Sequence, residues 1–481
     1  MNEMTRFVSR SCRIASCRLT RVLVAVGFMM AMAANAGAQD GVLDLSFSSD
    51  GKATLAFDVG GAGKDKCMDL ALQADRKIVV VGSVETATGY EFGVARLNAD
   101  GSPDTSFSGD GKATLDFGLS GDEAQAVELL ADGRIVVVGT ALIPALGYRF
   151  GVARLESDGS PDTSFSGDGK AWVDFGQVEE RAFDVAVQPD GKIVVAGGAT
   201  YWMQEFHFAV ARLNSNGTLD ASFGGDGTVV TSFGGDWDTA YSIAVQPDGK
   251  IVVAGGMVDL FYNGDFAIVR FNSDGTLDTS FNGTGKVRVG FDIVADGYDI
   301  GEAVAIEENG KIVLGGRVQA TSGGIYDFGA ARLLPDGSLD TSFKSDGTSI
   351  IPFNTGGVGQ DKCRDLVLQS DGKIVLVGEI ERVAGAHYDY GVTRLRADGY
   401  VDSYGVGYYA VVGFNLAGGM DDYGTAVAIQ PDGKIVVAGS VDLGASNIDF
   451  GVARLTGSGG PQIFDDGFES SDTSAWTAAQ P

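Results

Sequence analysis

The segment PDGKIVVAG, at residues 189–197, recurs in closely related form along the whole chain and decides its fold. The other copies read ADRKIVVVG, ADGRIVVVG, PDGKIVVAG twice more, ENGKIVLGG and SDGKIVLVG. Their basic residues are Lys77, Arg134, Lys192, Lys250, Lys311, Lys373 and Lys434. Because successive basic residues are 57 to 62 positions apart, they mark seven copies of one structural unit.

Each unit contains four strand-like segments separated by turns, most of them Asp-Gly. In FGVARL the large residues Phe92 and Val94 alternate with the small residues Gly93 and Ala95, so a bulky face can pack on a small face of the next unit. No segment has the period of a helix. The sequence therefore predicts an all-β, seven-bladed β-propeller of four-stranded antiparallel blades. In the second unit the predicted strands are residues 126–130, 134–140, 150–155 and 170–175.

The order of the segments predicts how the ring closes. An outer-strand segment at residues 52–57 precedes any inner strand, whereas the last unit, residues 425–455, supplies only three strands. We therefore expect the N-terminal outer strand, residues 43–57, to complete the seventh blade and leave no unpaired edge. The propeller then occupies residues 41–455, and a Gly/Ser linker with a short C-terminal tail follows at residues 456–481.

Two further phrases repeat with the same period: aromatic-x-x-x-Arg, which ends in arginine, and Leu-Asp-x-Ser-Phe, which contains aspartate. In the first unit these residues are Arg96 and Asp104. A partly buried arginine requires an anionic partner, so the spacing predicts one ion pair per blade that acts as a structural latch rather than a ring for binding anions. Closure of the ring would bring Arg454 to Asp44.

The first 38 residues differ from the rest. Five arginines precede an apolar run at residues 22–34, and Ala36-Gly37-Ala38 follows. This pattern predicts a signal peptide, residues 1–38, cleaved near Ala38. The mature protein is therefore expected to be secreted or periplasmic. No later segment approaches the length of a membrane span, so no membrane insertion is expected.

The chain is strongly acidic, with a formal net charge of −29. Removal of residues 1–38 takes away five arginines and one glutamate, a net loss of four positive charges that leaves −33. Such a protein repels phosphate backbones, which argues against nucleic acid as a partner. Only Cys67 and Cys363 remain after cleavage. They occupy equivalent positions in the first and sixth units, too far apart for a disulfide, so two free thiols are expected.

At the repeated phrases the chain resembles the delta-60 repeat family of bacterial proteins, whose units read approximately DGKIVVAG, DFAVARLNSDG and LDTSFGGDG. The resemblance covers residues 41–455, and SDGTLDTSF at residues 273–281 matches almost verbatim. The family implies a propeller-like repeat plan but no general activity or catalytic residue. Two positions depart from the pattern: Arg76 replaces a glycine, and the segment 401–405 lacks the phenylalanine and the following GDGK.

Strand direction places the DGK turns and the aspartate phrases at one end of the ring. The opposite end, called here the variable end, gathers the loops after KIVVAG and the segments that lead into each inner strand. Because these loops differ most between units, this end is the better candidate for recognition. Aromatic loop residues could contact sugars or peptides there, or could pack locally. The candidate ligand-binding residues are Tyr201, Trp202, Phe206, His207, Phe261 and Tyr262.

The variable end also carries acidic residues near the expected channel mouth. No cofactor is expected from the sequence apart from a candidate hard cation such as calcium, for which one acid of each unit could be a ligand. These are Asp65, Asp122, Glu179, Asp236, Asp296, Asp361 and Asp421, and Asp69, Glu123, Glu180, Asp238, Asp365 and Asp422 lie close by in sequence. Solvated surface charge is the alternative explanation.

No catalytic motif is present, and the only histidines, His207 and His387, lie in variable loops. The main functional hypothesis is a monomeric, secreted, non-catalytic binding propeller with a glycan or protein ligand. A carboxylate-dependent enzyme on glycans is one alternative, because that chemistry requires only two acids at a fixed separation. A purely structural exported repeat protein is the other.

Overall fold

The repeated DGK phrase forms a tight turn between two strands. In the third repeat Gly191 has φ +78°, a left-handed conformation that glycine adopts without steric cost. Arg76, which replaces this glycine in the first repeat, adopts the same conformation with φ +68°. The apolar residues after each turn then form an extended strand that is buried on both faces, as in Ile193–Thr200.

The computed structural model describes residues 40–60, 63–200, 205–235, 237–261, 263–291, 293–294, 297–353, 359–383, 387–416, 421–444 and 447–457. All described strands belong to the unit Gly41–Pro481, and of the unit Met1–Asp40 only Asp40 is described. The predicted signal peptide at residues 1–38, and the tail beyond residue 457, lie outside the described residues.

The described residues form 28 strands and no helix. Each blade runs from an inner strand A through B and C to an outer strand D. Blade 1 contains β2 (Lys66–Leu72), β3 (Ile78–Thr86), β4 (Gly89–Leu97) and β5 (Lys112–Leu115). Blade 2 contains β6 (Glu123–Leu129), β7 (Ile135–Ile143), β8 (Gly147–Leu155) and β9 (Lys170–Val173). Blade 3 contains β10 (Glu179–Val187), β11 (Ile193–Thr200), β12 (Phe206–Leu213) and β13 (Thr228–Thr231). Blade 4 contains β14 (Trp237–Val245), β15 (Ile251–Val258), β16 (Gly264–Phe271) and β17 (Lys286–Val289). Blade 5 contains β18 (Ile300–Ile306), β19 (Ile312–Thr321), β20 (Ile325–Leu333) and β21 (Thr348–Ile351). Blade 6 contains β22 (Lys362–Leu368), β23 (Ile374–Val383), β24 (His387–Leu395) and β25 (Tyr409–Val412). Blade 7 contains β26 (Asp422–Ile429), β27 (Ile435–Gly444), β28 (Asn447–Leu455) and β1 (Lys52–Leu55).

The fold class predicted from the sequence is confirmed, and the seventh blade is built from both ends of the propeller. Strand β1 pairs antiparallel with β28, and the register runs from Lys52 opposite Ala453 to Leu55 opposite Phe450. The regular outer strand is shorter than the expected 43–57, because Asp44–Gly51 turns back toward the neighbouring blade. Leu43 makes one further bridge, to Leu455.

The core consists of seven clusters of buried apolar side chains, and each cluster joins two neighbouring blades. At the seam between blades 7 and 1, Val436 and Phe450 pack with Leu70 and Val80. As the alternation in FGVARL predicts, bulky strand C residues of one blade pack with a small strand C residue of the next, as Phe450 does with Ala95, and larger inner-strand residues such as Leu70 join the cluster. The ring of blades is therefore closed by the same packing that joins every other pair.

Strands B and C extend further toward the variable end than the sequence predicted. In blade 2 the expected segment 134–140 extends to Ile143, and the expected segment 150–155 starts at Gly147. The additional residues of the two strands pair with each other, with Ile143 opposite Gly147. The result is a two-stranded hairpin at the variable end of the blade.

Loss of the closing ion pair should destabilise the ring. In Asp44→Ala, Arg454 stays buried without its anionic partner, and breaking a buried pair in this way typically costs about 3 kcal/mol. We expect that decrease in the free energy of unfolding in urea. Asp50→Ala is the matched control, because Asp50 is exposed on the same segment and its side chain accepts only the Lys52 N–H. Equal losses in the two variants would contradict a closing role for Asp44.

Candidate functional site

At the end that carries the DGK turns, each blade holds one arginine–aspartate pair. The arginine Nε donates to the aspartate Oδ2 at 2.6 to 2.9 Å in all seven pairs. These are Arg96–Asp104, Arg154–Asp162, Arg212–Asp220, Arg270–Asp278, Arg332–Asp340, Arg394–Asp402 and Arg454–Asp44. The last pair joins the final strand to the residues that precede β1.

In six of the seven pairs the described contacts show the arginine Nη1 donating to a backbone carbonyl across the blade seam. Arg454 Nη1 donates to the carbonyl oxygen of Ala99 in blade 1 at 2.5 Å, and Arg96 Nη1 donates to the carbonyl of Ser157 in blade 2. The Arg96 guanidinium also lies over the Phe107 ring, 4.8 Å from its centroid. These arginines are therefore committed to holding blades together, which explains why the same residues recur in every unit.

The latch aspartates are held ionised. Burial alone would raise the pKa of Asp104, but hydrogen bonds from Ser106, Lys77 and Arg96 hold the pKa well below its usual range. The same balance lowers the pKa of Asp278 to about 2. The DGK lysine adds to the latch, since Lys77 Nζ lies 3.1 Å from Asp104 Oδ2.

A second set of hydrogen bonds holds the blades together at the variable end. It explains why each outer-strand segment, such as residues 52–57, ends in phenylalanine. In every unit this backbone N–H donates to a buried carboxylate that precedes or begins the next inner strand. The donor–acceptor pairs are Phe57–Asp65, Phe117–Asp122, Phe175–Glu180, Phe233–Asp238, Phe291–Asp299, Phe353–Asp361 and Phe414–Asp422. The ring of the same phenylalanine packs on the buried aromatic residue of strand C, as Phe57 does on Phe450 at 5.1 Å.

This arrangement changes how the predicted calcium ligands are interpreted. Asp65, Asp122 and Asp361 are buried and accept backbone N–H groups with both oxygens, so they do not present open carboxylates. Glu179 pairs instead with Arg181, and Asp421 accepts the Tyr388 N–H. Asp236 and Asp296 lie outside the described residues. Within the described ranges no group of three or more His, Cys, Asp or Glu side chains is placed to hold a metal ion.

The inner strands carry a β-bulge at the same position in every blade. In blade 1 the register shifts between Cys67 and Asp69, opposite Gly82, where a Cβ would overlap the Lys66 carbonyl oxygen. The glycine of KIVVAG is thus required by the bulge. The bulged residue is half-buried in every blade and differs each time: Met68, Gln125, Phe183, Tyr241, Glu302, Arg364 and Thr425. These residues lie on the free inner edge of each sheet and line the centre of the ring.

Two neighbouring blades place a network of charges beside this centre. Arg364 donates to Glu302 at 2.6 Å and to Glu379 at 3.0 Å, and Arg317 pairs with Glu302 at 3.0 Å. Lys362 completes the network, 2.7 Å from Glu379. In blades 3 and 4, by contrast, the bulged residues are aromatic, and the rings of Phe183 and Tyr241 lie 5.2 Å apart. The centre of the ring is therefore chemically asymmetric.

An exposed aromatic platform lies between blades 3 and 4 at the variable end. The rings of Phe206 and Trp237 are stacked, with centroids 5.5 Å apart and an interplanar angle of 10°. Trp237 remains 51% exposed, and Phe261, in the next hairpin loop, is 80% exposed. Of the other candidate residues, Tyr201, Trp202 and Tyr262 lie outside the described residues. His207 follows Phe206 in β12.

The two cysteines are buried away from any ligand. Cys67 and Cys363 are free and fully buried, and burial raises the pKa of both thiols. His387 is the first residue of β24. A buried, protonated thiol is a poor nucleophile, so neither cysteine is suited to covalent catalysis.

A comparison with protein-family models also detects seven copies of the repeat. The model described as a domain of unknown function (DUF5122) β-propeller matches residues 73–107, 130–165, 188–223, 246–281, 307–343, 369–403 and 430–459. The chain belongs to the DUF5122 β-propeller family. The predicted assignment to a propeller-type repeat family is thus confirmed.

Solved structures resemble the DUF5122 propeller only distantly. They include an ulvan lyase of a polysaccharide lyase family (12% identity, 92% of this chain, 98% of that chain, TM-score 0.47) and a catalytically inactive virginiamycin B lyase from Staphylococcus aureus (7%, 84%, 98%, 0.45). A protein of unknown function from Dyadobacter fermentans is a third (10%, 85%, 100%, 0.43). At these values the likenesses do not indicate an activity. The comparison with curated proteins finds no match.

Two features of the DUF5122 propeller were missed in the sequence. Trp237 is the first residue of β14, in a segment that varies between repeats, and only the fold shows that it stacks on Phe206. Asp299, which completes the ring of buried carboxylates, was also overlooked. Its signal was present, because the phenylalanine of each outer-strand phrase is followed within five to eight residues by an acid that accepts its N–H. No helix that could cross a membrane is found among the described residues.

The two sets of carboxylates predict a stability maximum near pH 5 for this DUF5122 propeller. Burial raises the pKa of Asp122, Asp361 and Asp422 to about 6 and that of Glu180 to about 7. The folded state takes up these protons as the pH falls from 7 to 5, whereas the unfolded state does so only near pH 4, so acidification stabilises the fold in this window. Below pH 4 the latch aspartates, whose pKa values are lowered in the folded state, begin to be protonated and their ion pairs stop stabilising the fold.

Thermal unfolding followed by circular dichroism at pH 8, 5 and 3 measures this effect. The melting temperature is expected to be highest at pH 5. The double variant Asp122→Asn/Asp361→Asn should lose part of the gain between pH 8 and pH 5, by about 1–2 kcal/mol for each group, since one pKa unit corresponds to about 1.4 kcal/mol. A melting temperature that rises steadily from pH 5 to pH 8 would rule out buried, destabilising carboxylates.

Proposed function

We propose that this propeller is a secreted, non-catalytic binding protein that contacts its ligand with the variable end. The observation that carries the proposal is the stacked pair of Phe206 and Trp237, with Trp237 51% exposed. Export is supported by the five arginines, the apolar run and the Ala-x-Ala site within residues 1–38. The near-verbatim match of residues 273–281 further supports repeats of the delta-60 type.

The two ends of the ring differ in what they can offer a ligand. At the DGK end the same arginine, aspartate and serine recur in almost every blade and bond to one another and to the next blade. Substitution of these residues would weaken the ring. At the variable end the structural ties come from backbone N–H groups and buried carboxylates, so the neighbouring exposed side chains can differ between blades. Recognition residues are therefore expected at that end.

The platform has the properties of a recognition surface. Large apolar side chains that stay exposed beside one another are unusual on a soluble protein and mark interaction sites. Two stacked rings with an open face bury considerable area on binding and lose little side-chain entropy, because each ring is already held by the other. A planar or weakly polar group, such as a sugar ring or an aromatic side chain, suits such a surface.

The carboxylates at the variable end favour binding over acid–base catalysis. A general acid and a general base must reach the substrate, yet Asp65, Asp122 and Asp361 are buried and each accepts two backbone N–H groups. Glu302 and Glu379 are bound to Arg364 in ion pairs. These acids have structural partners that catalysis would have to displace.

Trp237→Ala tests the platform. With the mature chain on an array of glycans and extracellular proteins, we expect this change to weaken binding to the retained ligands by at least tenfold, because it removes the stacked ring. Trp172→Ala is a closely matched control. Trp172 is 47% exposed, but it lies on the outer strand of blade 2, away from the platform. Undiminished binding by Trp237→Ala, or an equal loss with Trp172→Ala, would refute the proposed binding surface.

A further inference from the structure

A row of half-buried aromatic residues extends around the variable end from one blade seam to the next. The side chain two residues before the buried aromatic of strand C faces the same way, toward the following blade. In four blades this residue is Tyr90, Tyr148, Tyr326 or Tyr388, and in blade 3 it is Phe206. All five are half-buried, so the apolar ridge of each seam continues from the core to the solvent.

Three of these residues contact the inner strand of the following blade through their rings. Phe206 stacks on Trp237, and the Tyr388 ring lies 5.6 Å from that of Tyr423 at an angle of 29°. The Arg181 guanidinium lies 5.3 Å from the centre of the Tyr148 ring. One side of each of these rings is thus fixed by the neighbouring blade.

The tyrosine hydroxyls have no structural role that would account for the row. Within the part of the chain that the structure describes, the hydroxyls of Tyr90, Tyr148, Tyr326 and Tyr388 make no hydrogen bond to another residue. They are therefore available to donate to a ligand or to water. A purely structural ridge would gain as much from phenylalanine, which is the residue used at the buried positions.

The fourth and seventh seams complete the pattern. Blade 4 has Gly264 at the equivalent position, but Gly264 bridges to Tyr298, a half-buried residue ahead of the next inner strand, so an aromatic ring is again present. At the seam between blades 7 and 1 the equivalent residue is Ile448, which bridges to Lys64. Six of the seven seams thus carry an aromatic residue, and the row is open at the seam where the ring closes.

We propose that this aromatic arc, formed by Tyr90, Tyr148, Phe206, Tyr298, Tyr326 and Tyr388, binds a linear, neutral glycan that runs across successive blades. This inference rests on the proposed function and names its ligand class. Packed sheets lie about 10 Å apart, so neighbouring members of the arc repeat at about that distance, comparable to the length of two sugar residues in an extended chain. One aromatic residue would therefore meet every second sugar.

The surroundings of the arc favour a neutral glycan over an anionic polymer. The chain carries a net charge of −29, and Glu85, Glu123 and Asp65 are among the charges around Tyr90. A polyanion would be repelled along most of the arc. Sugar rings, by contrast, present apolar C–H faces that stack on aromatic rings and hydroxyls that the tyrosine hydroxyls can bond.

The geometry also disfavours an extended peptide. Peptides that add to a sheet pair with an exposed strand edge. The variable end presents hairpin ends, and the outer edges of the blades lie on the side of the ring. A chain lying over the hairpins would find few aligned backbone groups there, and the repeated aromatic residue would be the main periodic contact.

Titration calorimetry of the mature chain with linear cello-, xylo-, manno- and malto-oligosaccharides of two to eight residues tests the proposal. For at least one series we expect the affinity to rise at least tenfold between the disaccharide and the hexasaccharide, because longer chains meet more of the arc. Tyr326→Ala and Tyr388→Ala should each weaken hexasaccharide binding at least fivefold. Tyr388→Phe should weaken hexasaccharide binding about twofold, because the ring stays and the hydroxyl bond to the ligand is lost, whereas a tyrosine with a purely structural role would be replaced by phenylalanine without loss.

Tyr408→Ala is the matched control, because Tyr408 is 62% exposed but precedes the outer strand of blade 6. Absence of binding in all four series, affinity independent of chain length, or equal losses with Tyr408→Ala would overturn the proposal. If Trp237→Ala abolishes binding of another ligand while the two tyrosine variants leave it unchanged, the proposed binding function stands and the glycan arc fails.

Discussion

The structure depends on one constraint: every blade is a small sheet with two apolar faces, and neither face can be left in water. A sheet of this kind needs a neighbour on each side, which an open row of blades cannot give to its first and last members. Closure solves the problem for all blades at once. Strand β1 pairs with β28, and Val436 and Phe450 of blade 7 then pack with Leu70 of blade 1 as equivalent residues do at the other seams.

Each end of the ring meets this constraint with different chemistry. The DGK end is held by side chains: each arginine bonds an aspartate of its own blade, and six of the seven are seen to donate to a carbonyl of the next blade. The variable end uses main-chain N–H groups, so that only the buried acid and the phenylalanine position recur. Glu180 can replace aspartate there because the backbone of the preceding segment adapts to the longer side chain and donates from Phe175 and Gln177. This difference allows the surface side chains near the buried acids, such as Trp237, to vary from blade to blade.

The sequence was informative wherever a residue recurs for a structural reason. The repeated phrases predicted the blades, the alternation of large and small residues predicted the seam packing, and the missing fourth strand of the last unit predicted the pairing of β1. The candidate site was harder to predict. Loops of different length precede the inner strands, so neighbouring acids such as Glu179 and Glu180 could not be told apart, and the stacking of Phe206 on Trp237 joins residues that no repeated phrase relates.

The buried carboxylates at the variable end lower the stability of the fold at neutral pH. Asp122 and Asp361 are stripped of water and compensated only by neutral N–H donors, so at neutral pH their charge opposes folding. The latch aspartates, each paired with an arginine, have the opposite effect. A ring whose two ends were both built from ion pairs would be more stable, but charged side chains would then occupy the surface where the aromatic residues lie. The weaker hydrogen bonds thus leave room for aromatic side chains on the surface of a highly charged protein.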